Sequence, residues 1–221
     1  MSEPTDTLVS AKATDGARAS LRIGIDFDNT LISYDGVFLA AARAGLLLAP
    51  GFSGNKQAVR DAIRLLPNGE LAWQRLQGHV YGKGIGTAVM PDGAMAFLRR
   101  CRDTQCSVFI VSHKTEVGHH DPDRVNLREA ALRWMETHDF FAADAGAIRR
   151  ANVFFEATRA DKIKRITALG CTHFIDDLEE VLTDPAFPPG VARVLLATSG
   201  TASDIAVCTS WSDVTEAVFH G

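Results

Sequence analysis

The chain has 221 residues, 46% of them apolar and 23% charged, which is enough for one substantial core with room for a smaller lobe. A formal charge of −4 with a pI near 6.0 leaves no polycationic face. This argues against nucleic-acid polymers and anionic membranes as partners, and any anionic ligand then depends on local positive charge. The four cysteines, Cys101, Cys106, Cys171 and Cys208, form no Cys-x-x-Cys pair. Reduced, buried thiols in a cytoplasmic protein are therefore expected, with no disulfide framework or zinc site.

Residues 1–20 are polar and lack the basic start and apolar middle of a signal peptide, so a disordered tail is expected there. Leu21, Ile23 and Ile25 then give a short apolar run that ends abruptly in Asp26 and Asp28. A strand is predicted, with both acids at its carboxyl end, where open α/β sheets bind ligands. Period-two geometry sends Asp26 and Asp28 to the same side. Two carboxylates so close repel unless a cation joins them, and hard oxygen donors of this kind suit Mg²⁺.

Three helices are expected next: one through Val37, Phe38, Ala41, Ala44 and Leu48, one capped by Asn55 and carrying Val59 and Ile63, and one through Trp73, Leu76 and Val80. The most apolar stretch, residues 37–52, is too short for a bilayer, which takes about 20 residues. Tyr81 to Gly86 reads as a flexible return or hinge. Its glycines do not fit the dinucleotide-binding spacing and no strand precedes them. A helix from Pro91-Asp92 leads to a buried strand, Ser107 to Val111, that ends at Ser112. A polar loop over residues 113–123, a helix through Leu127 and Trp134, and a strand at Asn152 to Phe155 follow. The helix from Ala160 to Leu169 carries Lys162, and the strand Thr172 to Ile175 runs into Asp176-Asp177. One more strand, Val191 to Ala197, and a helix, Ser212 to Phe219, complete an alternation that predicts a parallel, doubly wound sheet.

The order Asp26-x-Asp28-x-Thr30, Ser112, Lys162, Asp176-Asp177 resembles the four motifs of the haloacid dehalogenase-like superfamily, most of whose members are Mg²⁺-dependent phosphohydrolases. The resemblance runs from Leu21 to Ala197. It implies a Rossmann-like α/β core over residues 21–32 and 88–221, and a helical cap over residues 33–87 that closes above the site. It further implies Asp26 as nucleophile, forming an aspartyl-phosphate, and Asp28 as general acid and base. An acid at that second position marks phosphatases. The Asp26 carboxylate, the Asp28 backbone carbonyl, Asp176 and Asp177 would hold Mg²⁺, with the division between Asp176 and Asp177 left open. Ser112 and Lys162 would bind the phosphoryl group, though Lys164 stands two residues from Lys162, and Thr30 would brace the loop.

The substrate implied is a small phosphorylated metabolite, hydrolysed as a phosphomonoester. The same residues also suit a phosphotransferase or phosphomutase, and a non-catalytic phospholigand-binding protein is the reading from another class. His113 and Lys114, directly after Ser112, are candidate substrate contacts, as are Tyr81 and Lys83 at the return of the cap. His119-His120-Asp121-x-Asp123 has metal-binding residue types but no distant partner, so a solvated loop is expected there. Oligomeric state and substrate identity leave no mark in the sequence.

Overall fold

The computed structural model describes residues 20–220, so residues 1–19 of the expected tail lie outside the described residues. Six parallel strands form one sheet in the order β3-β2-β1-β4-β5-β6: β1 (Arg22–Ile25), β2 (Ser107–His113), β3 (Val153–Glu156), β4 (His173–Asp176), β5 (Ala192–Leu196) and β6 (Ala206–Cys208). Helices α1 (Asp35–Ala44), α2 (Lys56–Arg64) and α3 (Gly69–Tyr81) fall between β1 and β2. They are followed by α4 (Ala94–Asp103), α5 (Leu127–Thr137), α6 (Arg159–Ala168), α7 (Glu179–Leu182) and α8 (Trp211–Phe219). The architecture is a doubly wound α/β sheet, and its order reverses between β1 and β4.

Side-chain alternation divides the interior in two. Ile23, Ile25, Val108, Ile110, Ile175 and Val194 face one cluster, which also holds Phe97 of α4, Trp134 of α5 and Trp211 of α8. Phe109, Val111, Phe174 and Leu195 face the other, with Ile166 of α6 and Leu182 of α7. Polar side chains fix the helix starts. The Asn55 side chain accepts from the Ala58 N–H, and Thr158 accepts from Asp161. At α8, Ser210 and Asp213 form a reciprocal capping box.

The helical insert is tied at its base, where Ser33 and Val89 exchange backbone hydrogen bonds of 2.8 and 3.2 Å. Its Phe38 and Trp73 rings stack at 4.9 Å, and its apolar residues belong to the same cluster as the first face of the sheet. Helix α3 meets the loop after β2 closely. A Cβ on Gly78 would lie 2.8 Å from the Asp121 Cβ.

Several boundaries differ from the sequence pattern. The first helix stops at Ala44, because Gly45 closes it and Leu46 takes a left-handed φ of 55°. Helix α4 starts at Ala94 instead of at Pro91-Asp92, since Gly93 turns the chain with φ 85°. Of Tyr81 to Gly86, expected as a flexible return or hinge, Tyr81 ends α3 and the rest from Lys83 falls in a 3₁₀ helix, Lys83–Thr87. Strand β6 was not expected, being only three residues, Ala-Val-Cys. No helix among the described residues is long and apolar enough to cross a membrane.

Gly24 leaves no room for a side chain within the sheet. A Cβ there would stand 2.5 Å from the Phe174 ring and 3.0 Å from the Cys171 sulfur, both fixed in the second cluster. Gly24→Ala is expected to cost about 1–3 kcal/mol of stability through overpacking. Thermal unfolding should show this as a Tm several degrees lower, and an unchanged Tm would mean that the contact relaxes freely.

Candidate active site

The carboxyl ends of β1, β2 and β4 converge on one polar cavity of about 640 Å³. Asp26 extends β1 by donating its N–H to the Ile175 carbonyl at 2.9 Å, which fixes its backbone on the central strands. The chain then turns tightly. The N–H groups of Leu31 and Ile32 both reach back to the Phe27 carbonyl, and Asn29 takes a φ of 62°.

Lys162 is the hub of this site. It lies on the buried side of α6, 2% exposed, with its ammonium 2.6 Å from Asp26 Oδ1 and 2.7 Å from Asp176 Oδ2. Burial works against its charge, but the two carboxylates outweigh burial and raise its pKa. Lys164 points outward to Asp161, so α6 brings Lys162 and not Lys164 to the site. Ser112, 1% exposed at the end of β2, lines the same cavity.

Asp26, Asp176 and Asp177 each offer a carboxylate oxygen within 4.8 Å of the others, and among the described residues no other such trio occurs. Burial raises the Asp176 carboxyl above its ordinary range. Lys162 pulls it back and Asp26 adds to the rise. For Asp177, burial and then the charges of Asp26 and Asp176 push upward. Three hard oxygen donors short of positive charge, with Asp26 and Asp177 lining the cavity and Asp176 buried behind them, fit a divalent cation such as Mg²⁺. The remaining Asp176 oxygen accepts from the Leu178 N–H at 3.0 Å, while Asp177 accepts from the Asn29 amide at 3.2 Å. The second arrangement leaves Asp177 the more open of the two to a cation.

Asp28 stands apart from that cluster as half of an ion pair. The Lys114 ammonium, only 3% exposed, is 3.0 Å from its Oδ1 and 2.8 Å from its Oδ2, and the Tyr34 hydroxyl donates to Oδ1 at 2.7 Å. Lys114 therefore reaches the site through Asp28, not by lining the cavity. The Tyr81 ring lies 5.0 Å from the Lys114 ammonium and packs edge-on against Tyr34.

Of the other sequence candidates, His113 and Tyr81 line the cavity, His113 with a ring nitrogen 2.9 Å from the Ala157 carbonyl. Lys83 does not join them. It is exposed, paired with Asp123 at 2.7 Å, and lines a separate hollow against α5. His119 and His120 are exposed. Thr30 is fully buried with its hydroxyl lacking a partner among the described residues, so it fills space and braces nothing by hydrogen bonding. The sequence pattern missed Tyr34, Asn29 and Lys56. Asn29 had a signal in standing next to Asp28, whereas Tyr34 and Lys56 are linked to the site only by folding.

No protein-family model matches the sequence, and no curated protein does. Solved structures do match its fold. A haloacid dehalogenase-like hydrolase from Streptococcus pneumoniae superposes with a TM-score of 0.59 at 13% identity, over 88% of this chain and 96% of its own. A haloacid dehalogenase-superfamily hydrolase from Geobacter sulfurreducens gives 0.55 at 15% identity, over 94% and 100%. A protein from Haemophilus somnus 129pt, described as a predicted phosphoglycolate phosphatase, gives 0.52 at 14% identity, over 91% and 99%.

The raised carboxyls at Asp176 and Asp177 set the sign of a pH effect. A folded-state carboxyl pKa above the unfolded value costs stability as pH climbs through it, and a divalent cation relieves that cost. The Tm gained on adding Mg²⁺ is therefore expected to be larger at pH 8 than at pH 6 in thermal unfolding. Equal gains at both values would place cation binding elsewhere.

Proposed function

We propose that the chain, which has the haloacid dehalogenase-like fold, is a Mg²⁺-dependent phosphatase of small phosphomonoesters. The observation that carries this is the buried ammonium of Lys162 bridging Asp26 and Asp176, next to a cavity that Asp26, Ser112 and Lys162 line together. An anionic substrate can approach a carboxylate nucleophile only where positive charge offsets the repulsion, which Lys162 would supply together with a bound divalent cation.

In this reading a carboxylate oxygen of Asp26 attacks phosphorus, the bond to the leaving oxygen breaks, and an aspartyl-phosphate forms. Ser112 and Lys162 hold the phosphoryl oxygens. Asp28 gives a proton to the leaving oxygen, then takes one from the water that attacks the aspartyl-phosphate. Phosphate leaves and the Asp26 carboxylate is restored. Lys114, from the loop after β2, and Tyr34, from the base of the insert, hold Asp28 in place. Asp26, Asp176 and Asp177 would hold Mg²⁺, which when bound supplies further positive charge to the phosphoryl oxygens.

Chelator-sensitive release of phosphate from p-nitrophenyl phosphate, and from a panel of phosphorylated metabolites, is the direct test. No release from any ester with Mg²⁺ present would leave a phospholigand binder as the reading. Asp26→Asn is expected to lower kcat by more than the roughly 10²–10³-fold cost of losing one charge-stabilising donor.

Lys114→Met addresses Asp28. Protonation matters most for poor leaving groups, and general acid catalysis contributes about 10²–10⁴-fold. The variant should lose at least about tenfold more kcat on an alkyl phosphate than on p-nitrophenyl phosphate. Equal losses on both would mean that Lys114 does not serve the protonation of the leaving group.

A further inference from the structure

A second chamber of about 530 Å³ adjoins the catalytic cavity beneath helix α2, and the two share Asn29, Lys56, Gln77, Asp177 and Leu178. Asp26, Ser112 and Lys162 line only the first, so the second begins where the phosphoryl-handling groups end. Its walls are made for hydrogen bonding: Gln57 and Asn55 come from the α2 end, Gln77 from α3 and Ser33 from the base of the insert. A helical spacing of four places Lys56, Arg60 and Arg64 along one face of α2, and all three line this chamber.

Lys56 is the informative member. It is half-buried at the junction, and burial lowers its pKa. Among the described residues its ammonium has no carboxylate within ion-pairing distance and only the Asn29 amide oxygen, at 3.4 Å, as acceptor. The nearby acids are otherwise engaged. Asp35 accepts from the Lys56 backbone N–H at 2.8 Å, and Asp177 from Asn29. Arg60 and Arg64 pair with Asp61 and Glu70, but both pairs are solvent-exposed and such pairs exchange easily for a better-held anion. A partly desolvated cation without an anionic partner, facing a junction between two chambers, is a place for a ligand anion.

We infer that the second chamber takes the non-phosphate end of the substrate, and that this end is hydrophilic and carries an anionic group of its own, a carboxylate or a second phosphate. Lys56 receives that group, with Arg60 beyond it. The inference rests on the phosphatase reading and narrows its substrate class: small phosphomonoesters whose other end is neutral or apolar fill the first cavity and leave Lys56 unmatched.

Matched pairs of substrates provide the test, run with the full chain and Mg²⁺. One arm compares 3-phosphoglycerate with glycerol 3-phosphate, and the other fructose 1,6-bisphosphate with fructose 6-phosphate. The doubly anionic member of at least one pair is expected to have a kcat/KM at least about tenfold higher, a factor worth about 1.4 kcal/mol, and the arm that responds tells carboxylate from phosphate. Lys56→Met should shrink that ratio mainly through KM, Lys56→Arg should restore part of it, and Arg60→Gln should shrink it less. Ratios at or below one in both arms, with turnover of p-nitrophenyl phosphate intact, overturn the inference and leave the phosphatase reading standing. Absence of chelator-sensitive turnover on every ester removes both.

Discussion

One buried ammonium between two carboxylates organises this molecule. Asp26, Asp176 and Asp177 crowd their oxygens within 4.8 Å, where each pair of unit charges repels by on the order of 3 kcal/mol at an effective dielectric near 20. Lys162 offsets the contacts it touches, to Asp26 and Asp176, and does not touch Asp177. The site is thus built short of positive charge, a cost that a proton or a bound cation relieves. Breaking a buried pair costs about 3–5 kcal/mol, a large part of the roughly 5–15 kcal/mol that holds a domain together. Keeping such an arrangement in a fold that gains little stability from it is what sites of chemistry do.

The scaffold that bears this cost is the part most legible in the sequence. Strands β1, β2 and β4 announce themselves as apolar runs ending in Asp26, Ser112 and Asp176, because a strand buried on both faces must be apolar until it reaches its open end. The sheet's central order follows from that, and five of its six strands were readable. Strand β6 was not, since three residues at the sheet edge, two of them exposed, carry no periodicity to read. Lys162 was preferred to Lys164 on the resemblance and not on the local pattern. The choice depends on the rotation of α6, which buries Lys162 with Ile163 and Ile166.

The less legible part of the site comes from contacts across long stretches of chain. Lys114 is 86 residues from Asp28, and a lysine two places after a strand-end serine looks like a solvated loop residue until the fold closes over it. Lys83 shows the converse. It stands two residues from Tyr81, yet the 3₁₀ turn that begins there swings its ammonium out to Asp123. Tyr34 and Tyr81, at the two ends of the insert, pack against one another with Lys114 over the Tyr81 ring. Asp28 is accordingly the residue at which β1, the loop after β2 and both ends of the insert meet.

That junction constrains how the insert can move. Its return is locked down: Ile85 and Ala88 are buried, and the Trp134 indole donates to the Ala88 carbonyl at 3.1 Å. The insert helices pack on one another, with the Phe38 and Trp73 rings stacked, and their apolar residues run on into the cluster that underlies the sheet. Exposing even one side chain at that join costs about 1.5–3 kcal/mol, so a free swing of all three helices as a separate lobe is disfavoured. Helix α2 buries Val59 and Ile63 in that cluster and turns Lys56, Arg60 and Arg64 to a chamber. The division of labour follows from this packing. In the proposed function the sheet ends hold the groups that handle a phosphoryl oxygen, and their apolar approaches made them readable in the sequence. The groups facing the second chamber sit on a short polar helix, where lysines and arginines look like any solvated face until the fold sets a cavity beneath them.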